Sequence, residues 1–156
     1  MAILFLDSSA IVKRYTTEIG SAWVSNLIAP SVRQNVHSIH VSLLSGVEVV
    51  AALTRRQRIG SLSAQDAAQA ITTFQNDWDK SYETIDVNKD VIRDAMDLAQ
   101  RYALRGYDAV QLASALEASS LAQQFQQPFT FISADDKLNA AAEAEGLQIE
   151  NPNDYP

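Results

Sequence analysis

There is no cysteine in the chain. That excludes a disulfide framework, a thiol nucleophile and a thiolate metal site, and it suits a reducing compartment. No apolar run approaches the length of a membrane span. The N-terminal apolar run has no basic region ahead of it and is cut by Asp7 too early for a secretory signal, so none is expected. Positive charge is also short: 12 Lys and Arg stand against 19 Asp and Glu, for a net charge of -7. Such a balance argues against broad electrostatic capture of nucleic acid, which normally shows as a basic surface. A group of acids that binds divalent cations would itself add to the negative balance, however. Repeats, low-complexity tracts and linkers are missing too. What remains is 156 residues at 47% apolar and 20% charged composition, enough for one domain with a real hydrophobic core.

Within that domain strands and helices alternate. Residues 2–6 read as a buried strand, with Ser8 or Ser9 as cap of a helix from about Ala10. A helix follows over Ser21–Ala29, broken at Pro30, and Ile39–Val41 reads as a weaker strand. An apolar helix is expected over Ser42–Arg58, stopped at Gly60. Ser63 opens an amphipathic helix to about Asp79, with a capping-box pattern at its start. Tyr82–Val87 reads as a strand, Asn88–Ala103 and Tyr107–Gln123 as helices, and Phe129–Ile132 as a strand. Asp135–Glu145 is a helix and Leu147–Glu150 a last strand. Strands separated by helices require right-handed crossovers, so the fold class is α/β: a three-layer α/β/α sandwich around a mainly parallel sheet.

Two of the strands deliver the chain straight into carboxylates. AILFLDSS runs into Asp7, and FTFIS leads through Ser133 to Asp135 and Asp136. A charge beside a core is costly unless paired, hydrogen-bonded or bound to metal. Parallel strands would set both acids at the carboxyl edge of the sheet, where ligands bind in such folds. Two further acids stand alone in apolar helices: Glu48 is the only charge in VSLLSGVEVVAAL, and Asp108 the only one in YDAVQLASAL. Structural readings exist for each. Asp135 would serve as a helix cap, Glu48 would pair with Arg55 or Arg56, and Asp108 with Arg105. Four such acids together would repel one another, and a divalent metal resolves that conflict. All-oxygen ligands favour Mg²⁺ or Mn²⁺ over Zn²⁺.

These residues carry a resemblance. LFLDSSAIVKRY at 4–15, SLLSGVEVVAALTRR at 42–56, LRGYDAVQLASAL at 104–116 and FISADDKL at 131–138 are similar, in order and spacing, to the motifs of PIN-domain ribonucleases, in particular the VapC-type toxins of toxin–antitoxin pairs. The resemblance covers nearly the whole chain and implies a single Rossmann-like PIN domain over residues 1–156 with a Mg²⁺ or Mn²⁺ site. Position by position it implies Asp7, Glu48, Asp108 and Asp135 as the catalytic and metal-binding acids. Asp7 and Asp108 would touch the metal, while Glu48 and Asp135 would hold its waters or a second ion. Ser9 and Ser133 would position water or phosphate. Asp136 departs from the family pattern, as an outer acid or a first-turn helix residue.

The implied reaction is metal-assisted hydrolysis of an RNA phosphodiester, leaving 5′-phosphate and 3′-hydroxyl ends. His37 and His40 lie outside the acid motifs, so a paired-histidine mechanism has little support, and a surface or strand-edge role suits them better. Lys13, Arg14, Arg55, Arg56 and Arg58 are candidates for phosphate contacts or for a solvated helix face. Tyr15 and Tyr107 are candidates for stacking on an unpaired base or for packing. The resemblance further implies a cytoplasmic protein, an antitoxin lying along the active-site groove, and a homodimer. The stretch Ser63–Trp78, with Phe74 and Trp78 one turn apart, would dock a partner helix or pack on its own domain. Three rivals remain. A signalling receiver domain also binds Mg²⁺ at a sheet edge, but needs paired acids where Ser8 and Ser9 follow Asp7. A haloacid-dehalogenase-type phosphatase needs a second Asp where Ser9 stands. The third is a PIN domain kept as a catalytically silent binding module.

Overall fold

The computed structural model describes residues 1–30 and 36–156. Its centre is built from short apolar runs that alternate as pleated strands must. In β1 (Ala2–Leu6), Leu4 and Leu6 face one layer of helices and Phe5 the other. In β4 (Phe129–Ile132), Phe131 and Ile132 divide in the same way. Phe5 and Phe131 are register partners on neighbouring strands, and their rings stack at 5.9 Å. With β2 (His37–Ser42), β3 (Tyr82–Ile85) and β5 (Ile149–Glu150) they form a five-stranded sheet in the order β3-β2-β1-β4-β5, parallel at each pairing.

Helices cover both faces. On one side lie α1 (Ser8–Ile11), α2 (Ser21–Ile28), α3 (Ser45–Arg58) and α4 (Ala64–Ser81), packed through Ile11, Val24, Leu53 and Phe74. On the other lie α5 (Lys89–Tyr102), α6 (Gly106–Gln124) and α7 (Asp136–Ala144), packed through Leu98, Leu112 and Leu138. The expected three-layer α/β/α sandwich is therefore the observed one. Ser63, Asn88 and Asp135 cap α4, α5 and α7 by accepting the backbone N–H three residues on.

The differences from the sequence reading are local. The first helix is a single α turn continued by a 3₁₀ turn over Val12–Arg14, and its cap is Asp7, not Ser8 or Ser9. The two serines turn their hydroxyls to acids instead. The third helix starts at Ser45 because Ser42 still belongs to β2, where it pairs with Ile85. The last strand shortens because Leu147 closes the end of α7, its N–H reaching Ala142 O past Gly146 in the left-handed region (φ 88°). Phe74 and Trp78 pack on their own domain, and a Cβ on Gly46 would meet the Trp78 indole at 3.2 Å.

Candidate active site

Asp7 follows β1 and Ser133 follows β4, the neighbouring strands at which the sheet order reverses. From β1 the chain crosses to β2 on one side and reaches β4 on the other, which opens a crevice at their carboxyl ends. The Asp7 N–H donates to Ile132 O at 3.1 Å, so the pairing of the strands fixes the position of the acid itself.

Asp7 is 3% exposed. Its Oδ1 accepts from the Ser9 hydroxyl at 2.7 Å and the Ala10 N–H at 3.0 Å, and its Oδ2 accepts from the Ser133 hydroxyl at 2.8 Å. None of the ion pairs among the described residues involves it. Burial pushes its pKa up to about 7, against the three hydrogen bonds, and the charge of Asp108 adds to the rise. Ser9 also accepts the Ala134 N–H at 2.9 Å, and Ser133 the Asp135 N–H at 3.1 Å. The two serines thus stitch the ends of β1 and β4 together around one carboxylate.

Glu48, in the first turn of α3, is held differently from the ion pair its sequence suggested. Its Oε1 accepts from the Ser8 hydroxyl at 2.9 Å and from Gln111 Nε2 at 2.7 Å, whereas Arg56 reaches Glu18 at 3.5 Å. Gln111 is 2% exposed, and its Nε2 also lies 2.9 Å from both the Ser8 and Ser45 hydroxyls. Sequence reasoning passed over Ser8, Ser45 and Gln111. The available signal was an uncharged amide three residues after Asp108, on a helix otherwise apolar there.

The structural readings of the other two acids hold in part. Asp108 accepts from Arg105 Nε at 3.2 Å. Asp135 caps α7 through Oδ1, at 3.0 Å from the Leu138 N–H, while its Oδ2 is 3.9 Å from Arg105 Nη2. Arg105 thereby stands between acids from two different elements. Asp136 is a first-turn helix residue whose Oδ1 accepts from Asn151 at 2.9 Å.

Asp7, Glu48, Asp108 and Asp135 all line one open cleft of about 1010 Å³, together with Ser9 and Gln111; Ser133 is fully buried behind it. Among the described residues no three acid or histidine side chains stand close enough to form a ready-made ligand group, so the four carboxylates share a cleft without closing on one point. Their chemistry nonetheless fits a hard divalent cation. The donors are all oxygen, and the buried Asp7 carboxylate has no cationic partner among the described residues.

The basic and aromatic candidates divide. Lys13 lines the cleft, but its ammonium is spent on Ile19 O at 2.7 Å. Arg14 turns away to Asp77 at 2.8 Å; burial works against its charge, yet the bond and charge of Asp77 outweigh this and raise its pKa. Tyr15 joins the same network through Asp77 and the Tyr82 hydroxyl, and burial carries its pKa far above the ordinary phenol value. Arg55, Arg56, Arg58 and Tyr107 do line the cleft. His37 bonds to Leu27 O and His40 to the Ser38 hydroxyl, both on β2 and away from the cleft.

A cleft of carboxylates at the switch point of a parallel sheet defines a class, and comparison with known proteins agrees with it. The model of the PIN domain matches residues 4–144. Two proteins of Mycobacterium tuberculosis are 31% identical over 150 residues, covering 96% of this chain and 95% of theirs: ribonuclease VapC45 of strain CDC 1551 / Oshkosh and ribonuclease VapC49 of strain ATCC 25618 / H37Rv. A solved structure, VapBC2 from Rickettsia felis bound to a DNA fragment from their promoter, shares the fold at a TM-score of 0.62 and 14% identity, over 96% of this chain and 98% of that one. The chain belongs to the PIN-domain family, and within it is a relative of the VapC ribonucleases. The receiver and phosphatase readings fall away.

Proposed function

We propose that this chain is a metal-dependent endoribonuclease of VapC type, the toxin of a type II toxin–antitoxin pair, with residues 1–156 acting as one PIN domain. The observation that carries the reading is Asp7: a buried carboxylate with three hydrogen bonds and no basic side chain paired to it among the described residues, on a cleft that Glu48, Asp108 and Asp135 also line. Asp7 and Asp108 would hold Mg²⁺ or Mn²⁺ directly, with Glu48 and Asp135 behind them. A divalent cation so held polarises a phosphoryl oxygen and makes water a better nucleophile.

The chain's own groups do the positioning. Ser9 and Ser133 fix the orientation of Asp7, and Ser8 and Gln111 that of Glu48, so both acids keep their aim before any cation arrives. Arg55, Arg56 and Arg58 offer charge to substrate phosphates at the far end of α3. In the reaction a water oxygen joins the phosphorus as the bond to the 3′ oxygen breaks, leaving 5′-phosphate and 3′-hydroxyl ends.

VapC-type identity also implies an antitoxin along the cleft and a homodimer. A cytoplasmic location is part of the same reading, and no helix among the described residues is long and apolar enough to cross a membrane. The decisive assay incubates a mixed RNA panel with wild type or Asp7→Asn in Mn²⁺, Mg²⁺ or chelator. Metal-dependent cleavage that the substitution abolishes is expected. Equal cleavage by both proteins would assign the activity to a contaminant and sink the reading.

A further inference from the structure

The cleft continues along α3 beyond Glu48. Five of the chain's 12 basic residues line it: Lys13, Arg55, Arg56, Arg58 and Arg105. Five acids line the same cleft, and Lys13, Arg56 and Arg105 are engaged by Ile19 O, Glu18 and Asp108, which leaves Arg55 and Arg58 as its basic residues without an ion pair among the described residues. Arg55 and Arg58 follow Glu48 at helical intervals that keep all three on one face of α3, about 10 and 15 Å along its axis from the acid. A track of this kind, starting at the carboxylates and turning positive, suits a phosphate backbone that leads away from the reacting bond.

Tyr107, beside Asp108, lines the same cleft. The other four tyrosines each engage their hydroxyl: Tyr15 with Asp77 and Tyr82, Tyr102 with Glu145, Tyr155 with Glu150. Tyr107 makes no hydrogen bond or ring contact among the described residues and is 66% exposed. Val47, next to Glu48 and 65% exposed, lines the same cleft. An apolar ring and an apolar side chain open to water, each adjacent in sequence to an acid of the site, offer a flat partner apolar surface within the cleft.

Building on the ribonuclease reading, we propose that Tyr107 is the stacking platform for an unpaired base of the substrate, while Arg55 and Arg58 take the phosphates that follow. A base within a duplex is already stacked on both faces and cannot reach the ring. Tyr107 here sets substrate choice and affinity; it takes no part in bond cleavage.

The test uses an oligouridylate carrying a single 2-aminopurine, alone or annealed to oligoadenylate, in the Asp7→Asn background, which keeps the helix cap and spares the strand. The single strand should bind with quenched 2-aminopurine fluorescence. Tyr107→Ala should weaken it roughly 5- to 100-fold and abolish the quench, whereas Tyr107→Phe and Tyr107→Trp keep both. Arg55→Ala and Arg58→Ala should each lower the slope of log affinity against log salt by about 0.7 and leave the quench in place. The duplex should bind more weakly, with no response to Tyr107→Ala. If the parent protein binds the strand and Tyr107→Ala binds equally well, the stacking role is wrong and the exposed ring is left to the face a protein partner covers. If the parent binds neither strand nor duplex, the ribonuclease reading falls with it.

Discussion

In Asp7 one carboxylate has three donors, no ion pair among the described residues and 3% exposure to solvent. Its pKa of about 7 in the folded chain lies above the ordinary 3.8. Between those values the folded state keeps a proton that the unfolded chain has lost, so stability falls as pH rises through this window, and the full cost is present above about pH 7. At 1.36 kcal/mol per unit the cost reaches up to about 4 kcal/mol. In chelator at pH 8, Asp7→Asn should therefore be more stable than wild type by about 1–4 kcal/mol, a gap that closes toward pH 4. Urea unfolding across the pH range checks this. Cation affinity should fall in step as pH drops below about 7, since binding must displace that proton. Gln111 is the second residue to test. Gln111→Leu leaves Glu48, Ser8 and Ser45 without their shared donor, which should cost about 1–3 kcal/mol of stability. Cleavage should drop roughly 10- to 100-fold as Glu48 loses its orientation. Retained activity at full stability would remove Gln111 from the positioning network.

Among the elements, the C-terminal tail does more than end the chain. Its 3₁₀ turn over Pro152–Asp154 packs against α2, where Trp23 and Tyr155 stack at 4.4 Å with ring planes 3° apart. It also holds the loop between β4 and α7, through Asn153 to Ala134 O at 3.3 Å and Asn151 to Asp136 at 2.9 Å. That loop carries Asp135. Close approach depends on Gly20, the residue before α2, which sits at φ 84° and would bring a Cβ to 2.4 Å from Pro152 O. Gly20→Ala adds a clash with backbone to an unfavourable φ and should destabilise the protein by about 2 kcal/mol or more. Amide exchange should rise first in residues 151–155 and in the Ala134 loop. Unchanged exchange there would show that the tail does not brace the site.

At the scale of the whole molecule, the carboxyl edge of the sheet gathers carboxylates that ion pairs among the described residues neutralise only in part. Glu48 and Asp7 have no ion pair among the described residues, and Arg105 serves both Asp108 and Asp135. A cation that binds only the folded chain should stabilise it by about 2.7 kcal/mol at a hundred times its Kd. For a chain of this length that is roughly 5–10 °C in Tm. Mn²⁺ titration of wild type in a thermal melt should show the rise, and Asp7→Asn should show less than half of it. An equal rise in both would place the cation elsewhere.

Much of this was legible in one dimension. The alternation of strands and helices, the caps at Ser63 and Asn88 and the four isolated acids rest on periodicity and near-neighbour chemistry, which act within a few residues. The cap falls to Asp7 because two serines and an aspartate compete for one helix start, and Glu48, 40 residues on, draws the Ser8 hydroxyl while Asp7 itself takes that of Ser9. Pairings across 40, 63 and 126 residues, Ser8 to Glu48, Gln111 to Glu48 and Ser133 to Asp7, exist only once the crossovers have brought α3, α6 and β4 to one edge. The same holds for the fates of the basic and aromatic candidates. Arg14 and Tyr15 look as available in sequence as Arg55 and Tyr107, yet packing of the first 3₁₀ turn on α4 gives them Asp77, while the other two face the cleft. Sequence by itself determined which residues could carry the chemistry, because residue type and local spacing are written in it. The tertiary structure decided which of them share a cleft, because a side chain's partners depend on where the chain returns.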